Sequence, residues 1–84
     1  MSITKEKLFE LCKTAAEILE EVNFKPYFVE FWGSEIWMQG DHNSELEEKL
    51  IENGFEWKRS FKKNGSVFLV FKKHNIEIML VRQY

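Results

Sequence analysis

The apolar residues near the start of the chain are spaced with the period of an α-helix. An apolar stripe recurs at steps of three and four residues, and glutamates occupy much of the opposite face. The stripe consists of Leu8, Cys12, Ala15, Leu19 and Val22. Pro26 cannot continue a helix because it lacks a backbone N–H. The pattern therefore predicts a helix over residues 4–22 that ends at Asn23.

Beyond this helix, short stretches rich in apolar, β-branched and aromatic residues lie between turn signals, as expected for β-strands. These stretches predict strands over residues 27–32, 35–39, 55–62, 66–73 and 76–82. A second helix is predicted over residues 45–53, because Ser44 and Glu47 match a capping box and Gly54 suits a left-handed helix end. The sequence thus predicts one α+β domain over residues 1–84. Its order is α-β-β-α-β-β-β, with two helices and an antiparallel five-stranded sheet.

Three tight turns set the expected register of neighbouring strands. Gly33-Ser34 and His74-Asn75 each fit a two-residue hairpin loop, and Asn64-Gly65 is the strongest short hairpin signal in the chain. The Asn64-Gly65 turn places Phe61 opposite Phe68. The His74-Asn75 turn in the same way pairs residue 71 with residue 78, and residue 72 with residue 77.

This register gives the last three strands two apolar faces. One face carries Val67, Leu69, Phe71, Ile78 and Leu80. The other face carries Trp57, Phe61, Phe68, Val70, Met79 and Val81. A large apolar face left in water is unusual for a soluble monomer. We therefore expect either an α/β/α sandwich with a helix on each face, or a two-layer fold whose second face meets another subunit.

The middle of the chain resembles a small domain found in phage- and plasmid-derived proteins of bacteria, sometimes attached to a J-domain. The matching residues are Gly33-Ser34-Glu35-Ile36-Trp37-Met38-Gln39-Gly40-Asp41, then Leu46 and Leu50, then Gly54-Phe55-Glu56-Trp57-Lys58-Arg59. The chain departs from the pattern at Glu35, where a Trp is usual, and at residues 63–68, which replace a closing Lys-x-Trp-Tyr element. No activity is established for that family. The resemblance implies a fold and a mobile-element origin.

Composition and charge narrow the classes of protein that this chain fits. A single cysteine excludes an intramolecular disulfide. No apolar run approaches the roughly 20 residues of a membrane span, and no secretory signal is recognisable, so we expect a cytoplasmic protein with no membrane partner. The net charge is −2 and divides into −7 over residues 1–54 and +5 over residues 55–84. Poles of opposite sign can steer partners or pair with each other.

The residue types that carry catalysis or bind metals do not form a recognisable motif. His42 and His74 lie in separate predicted loops, with no spacing typical of a zinc or calcium site. Cys12 has no neighbouring histidine in sequence, and the chain has neither a phosphate-binding loop nor a dinucleotide fingerprint. We therefore expect no catalytic residues, no metal site, no cofactor and no enzymatic activity.

The sequence favours a binding protein of phage or mobile-element origin that occupies a partner protein's surface and forms a homodimer. The predicted contact residues are Trp37, Trp57, Phe61, Phe68 and Met79. An acidic surface that imitates phosphates, with inhibition of a bacterial defence complex as its role, is predicted from Glu17, Glu20, Glu21, Glu45 and Glu48.

The alternative is a module that binds single-stranded nucleic acid. In such modules, basic side chains hold phosphates and exposed aromatic rings stack on bases. The candidate residues are Lys58, Arg59, Lys62 and Lys63, next to Trp57 and Phe61.

Overall fold

The computed structural model describes residues 4–83, which form two helices and five strands in the predicted order. The helices are α1 (Lys5–Val22) and α2 (Ser44–Glu52). The strands are β1 (Phe28–Trp32), β2 (Glu35–Asp41), β3 (Glu56–Lys63), β4 (Ser66–Lys73) and β5 (Ile76–Gln83). The α+β class and the element order are confirmed, and each boundary lies within two residues of its predicted position.

The sheet is mixed, so the prediction of an antiparallel sheet is wrong. Its strand order is β1-β2-β5-β4-β3, and the β2–β5 pair is parallel while the other three pairs are antiparallel. After α2, the chain runs outward to β3 and returns through two hairpins, which bring β5 against β2. The central position suits β5 because Ile76, Ile78 and Leu80 are all buried.

Both helices pack on one face of the sheet, which resolves the alternative left open by the sequence in favour of two layers. The buried residues of α1 are Leu11, Ala15, Ile18 and Val22, and those of α2 are Leu46 and Leu50. They share one core with Ile36 and Met38 of β2, Phe71 of β4 and the apolar residues of β5. We call the opposite side of the sheet the open face, because neither helix of residues 4–83 covers it.

The predicted hairpin registers are confirmed. Phe61 pairs with Phe68 across the Asn64-Gly65 turn, where both turn residues have positive φ, 52° and 79°. Across the His74-Asn75 turn, residue 71 pairs with residue 78, and residue 72 pairs with residue 77. Gly33 closes the first hairpin with a φ of 56°. Local turn chemistry therefore set these pairings correctly.

The start of α2 differs from the predicted capping box, but its end does not. Asn43, one residue earlier than expected, caps the helix by accepting a hydrogen bond from Leu46 N–H at 2.7 Å. Glu47 is thereby free to contact His42, with 2.8 Å between Oε2 and Nε2. At the other end, Gly54 has φ 89°, and the N–H of residue 55 donates to the C=O of residue 50 at 3.0 Å. This is a Schellman motif, a form of the left-handed helix end that Gly54 predicted.

A β-bulge near the start of β3 changes the face to which one predicted contact residue belongs. The register shifts between Trp57, which pairs with Phe71, and Arg59, which pairs with Val70. Two-residue alternation fails across a bulge because one strand carries an extra residue. Trp57 therefore lies opposite a core residue of the helix-covered side. Its predicted place on the same face as Phe61 is wrong.

Candidate interaction surface

The open face combines aromatic, aliphatic and charged side chains from all five strands. By register it carries Phe28, Glu30 and Trp32 of β1, Glu35, Trp37 and Gln39 of β2, Glu77, Met79 and Val81 of β5, Phe68, Val70 and Lys72 of β4, and Arg59 and Phe61 of β3. The sequence predicted a second apolar face on the last three strands. The structure keeps five of the six predicted residues together on this face, all but Trp57, and it adds a second aromatic region at the β1–β2 hairpin.

The first region, which we call the apolar block, lies on β3, β4 and β5. It consists of Phe61, Phe68, Val70, Met79 and Val81. The rings of Phe61 and Phe68 are stacked, with 4.9 Å between centroids and an interplanar angle of 7°. Val70 has no exposed surface, although no helix lies over it within residues 4–83. The open face therefore has a small cluster of its own, with the partly exposed Phe61 at its edge.

A cation lies beside the apolar block. The guanidinium carbon of Arg59 is 5.9 Å from the centroid of the Phe61 ring, within the range of a cation–π contact. Arg59 pairs with Val70, so it borders the block on the β3 side. Aromatic rings together with an arginine are the residue types that contribute most to protein interfaces.

The second region, which we call the tryptophan corner, is formed by Trp32, Glu35 and Trp37 at the β1–β2 hairpin. The two indole rings are stacked, with 5.6 Å between centroids. Glu35 accepts a hydrogen bond from Trp37 Nε1 at 2.9 Å and one from Lys72 Nζ at 3.1 Å. Lys72, which lies opposite Glu77 in the register, thus reaches across β5 to bind Glu35.

These contacts hold the pKa of the Glu35 carboxyl below its ordinary value. The largest cause is the hydrogen bond from Trp37, followed by the hydrogen bond from Lys72. Both donors favour the charged carboxylate. A carboxylate with a lowered pKa stabilises the folded state above its unfolded-state pKa, and this stabilisation is lost as the pH falls through the folded-state value. The hydrogen bonds of Glu35 therefore link the hairpin to β4, and protonation of the carboxylate in acid weakens this link.

Trp37→Phe should raise the pKa of Glu35 toward its ordinary value, because phenylalanine has no N–H to donate. We expect an NMR titration of the Glu35 side-chain carboxyl carbon to show this increase. Trp32→Phe is the matched control, since the stacked ring at that position makes no hydrogen bond to Glu35. An unchanged Glu35 titration in Trp37→Phe would contradict the role given to the indole N–H.

The structure brings together most of the predicted contact residues and adds others. Trp37, Phe61, Phe68 and Met79 share the open face, whereas Trp57 does not. The sequence reasoning missed Phe28 and Trp32 as members of one surface with them. The predicted Gly33-Ser34 hairpin was a usable signal, because it pairs the first strand with the second, but only the tertiary structure shows that neither helix covers this side of the sheet.

The predicted basic residues divide between the two sides of β3. Arg59 lies on the open face, and Lys62 pairs with the buried Val67 on the helix-covered side. The ammonium of Lys58 is 3.1 Å from a carboxylate oxygen of Glu56. Lys63, at the end of the strand, pairs with Ser66. The four cations therefore do not form a single surface.

The acidic residues predicted as a surface lie on the outside of the helices. Glu17, Glu20, Glu21, Glu45 and Glu48 are all exposed. Glu45 makes a helical ion pair with Lys49, with 3.3 Å between nitrogen and oxygen. Such exposed pairs contribute little to stability. The helix layer is therefore acidic on its solvent side, as the charge distribution indicated.

Within residues 4–83, no three His, Cys, Asp or Glu side chains lie close enough together to hold a metal ion. In the same residues, neither helix is both long and apolar enough to cross a membrane. Comparisons with protein-family models, with curated proteins and with solved structures find no match to this chain.

Proposed function

We propose that this is a non-enzymatic binding protein that occupies the surface of a partner protein with the open face of its sheet. The observation that carries the proposal is the apolar block. Its stacked Phe61–Phe68 pair lies on a face that neither helix covers, and Phe61 is 36% exposed. Aromatic residues and arginine are enriched in protein interfaces relative to the rest of the surface.

The charges around the block support a protein partner and indicate how it is oriented. Arg59 borders the apolar block, whereas Glu30 and Glu77 flank Trp37 in the register. A partner that docks here meets Arg59 at one end and, at the other, Glu30 and Glu77 beside the Glu35–Lys72 ion pair. Such an arrangement selects orientation and partner through electrostatic complementarity more than it adds affinity.

Phe61→Ser should remove partner binding without unfolding the protein. We expect affinity capture from a bacterial lysate, followed by mass spectrometry, to recover a protein with the wild type that is lost with Phe61→Ser. With the purified partner, the dissociation constant should rise by about tenfold or more, the loss typical of an aromatic anchor.

Ile51→Ser is the matched control, because Ile51 is an exposed apolar residue of α2, on the other side of the molecule. This variant should capture the same partner as the wild type. Thermal melts of both variants should show a folded domain. If all three proteins capture the same set, the open face is not the binding surface.

The second candidate function is binding of single-stranded nucleic acid, and the Arg59–Phe61 contact favours it. A base stacked on Phe61 would place its phosphates near Arg59 and Lys63. Glu30, Glu35 and Glu77 on the same face would repel a strand that extended further. Fluorescence titration of labelled oligonucleotides at two salt concentrations distinguishes the candidates, since phosphate contacts weaken steeply with salt. Absence of binding at low salt removes this candidate.

A further inference from the structure

The two edges of the sheet differ in how they are protected against pairing with another strand. The β3 edge carries Lys58, Arg59, Lys62 and Lys63, and a bulge interrupts its register at Trp57. Charged residues and bulges are the features by which natural sheets block edge-to-edge association. The β3 edge is therefore built to remain unpaired.

The β1 edge has neither lysine, proline nor a bulge between Phe28 and Trp32. Its apolar side chains are about half exposed on both faces of the sheet: Phe28 49% and Trp32 56% on the open face, Val29 47% and Phe31 51% on the other. A strand that belongs to a core on one side normally buries alternate residues. Here Val29 and Phe31 share a face with the buried Ile36 and Met38, yet remain exposed.

The backbone hydrogen bonds of β2 show which N–H and C=O groups of β1 face the free edge of the sheet. The Ile36 N–H donates to the Asn75 C=O at 2.9 Å, so the backbone N–H and C=O of Ile36 are directed toward β5. The Gln39 C=O accepts from Tyr27 N–H at 3.0 Å, so the odd-numbered residues of β2 are directed toward β1. Their partners are residues 28, 30 and 32. In a strand, the backbone groups of successive residues are directed alternately to the two neighbouring sides. Residues 28, 30 and 32 are directed toward β2, so residues 29 and 31 present their N–H and C=O groups at the free edge.

We propose that β1 pairs with the β1 strand of a second copy of this chain, giving an antiparallel, two-fold symmetric dimer with a continuous ten-stranded sheet. In an antiparallel self-pairing centred on Val29, the outward N–H and C=O groups of residue 29 in the two copies bond each other. This inference concerns the edge of the sheet and does not depend on the partner proposed for the open face.

The area available on β1 is sufficient for such a dimer. Aromatic side chains have areas of about 150–250 Å² each, so the exposed halves of Tyr27, Phe28, Phe31 and Trp32, together with that of Val29, amount to at most about 500 Å² per copy. Two copies together reach roughly 1,000 Å², the lower bound for a specific interface. The backbone hydrogen bonds between the two β1 strands stabilise the dimer in addition to the burial of this apolar area.

The single charge on β1 indicates the register. If Glu30 were on the two-fold axis, two carboxylates would lie opposite each other, which is unfavourable. With Val29 on the axis, Glu30 faces residue 28 of the second copy, and residue 31 faces Tyr27. An axis at Phe31 would also keep the carboxylates apart, but it would place residue 29 opposite Gly33 of the turn, whereas an axis at Val29 places the exposed Phe31 opposite the exposed Tyr27, a favourable aromatic pair. We therefore assign the axis to Val29.

Sedimentation equilibrium tests the pairing. The wild type should have twice the mass of the chain, and Val29→Lys should raise the dimer dissociation constant by at least about tenfold, because a lysine at the axis places two cations together. Ser60→Lys is the matched control, since it adds the same charge to the exposed β3 edge. It should remain dimeric. A monomeric wild type, a dimeric Val29→Lys, or the same loss in Ser60→Lys would each overturn the proposal.

Disulfide trapping tests the register independently of folding effects. In a Cys12→Ser background, Val29→Cys should form a disulfide-linked dimer under mild oxidation, because a cysteine on the axis faces itself. Phe31→Cys should form far less, because it faces Tyr27 of the second copy. Equal trapping at both positions would overturn the assignment of the axis. The Phe61→Ser variant should stay dimeric, because Phe61 is not part of β1. A failure of the partner proposal can therefore be distinguished from a failure of the dimer proposal.

Discussion

Phe71→Ala should lower the free energy of unfolding by about 3–5 kcal/mol, the usual cost of emptying a buried aromatic site. Phe71 has no exposed surface and packs in the core with both helices. Small domains are stable by only about 5–15 kcal/mol, so this variant should lose a large share of its stability. Urea denaturation followed by tryptophan fluorescence measures the change.

Phe68→Ala is the control for this prediction, because it removes the same side chain from the same strand on the other face. Phe68 is only half-buried and stacks on Phe61, so about 1–2 kcal/mol is expected. If Phe68→Ala cost as much as Phe71→Ala, the open face would be a second core, and its use as a binding surface would be contradicted.

Gly40→Ala should destabilise the protein by about 1–3 kcal/mol, although alanine normally suits a strand better than glycine. A Cβ at this position would lie 2.6 Å from Cζ of Phe24 and 3.3 Å from the backbone oxygen of Lys25. Phe24 is buried and belongs to the core, so its ring has little freedom to move. Thermal denaturation of the variant should show the loss.

A second substitution tests whether Phe24 causes that loss. Phe24→Leu shortens the side chain that would meet the new Cβ, so the double variant Gly40→Ala/Phe24→Leu should lose less stability than the two single changes added together. Strictly additive losses would mean that the cost of Gly40→Ala arises elsewhere in the strand.

Local chemistry explains what could be predicted from the sequence. The hairpin at Asn64-Gly65 requires positive φ, which asparagine and glycine adopt easily, so the pairing of Phe61 with Phe68 followed from the turn. The end of α2 followed from Gly54 in the same way. Each of these features depends on residues only a few positions apart.

The candidate site was predictable only in part. The open face does bring Phe61, Phe68 and Met79 together, because alternation holds along β4 and β5. Trp57 was misplaced because the bulge adds a residue, and alternation cannot reveal a bulge. The Asn43 cap was missed because Ser44 and Asn43 are both good capping residues, and the contact of Glu47 with His42 requires the folded loop.

By itself, the sequence determined the seven elements, the three hairpin turns and the registers that these turns impose. Only the tertiary structure decided that β5 inserts beside β2 in parallel, that both helices cover one face, and that β1 is left as an apolar edge. Turns are fixed by the backbone preferences of adjacent residues. The partners of distant strands are fixed by which arrangement buries the most apolar surface, a property of the whole chain.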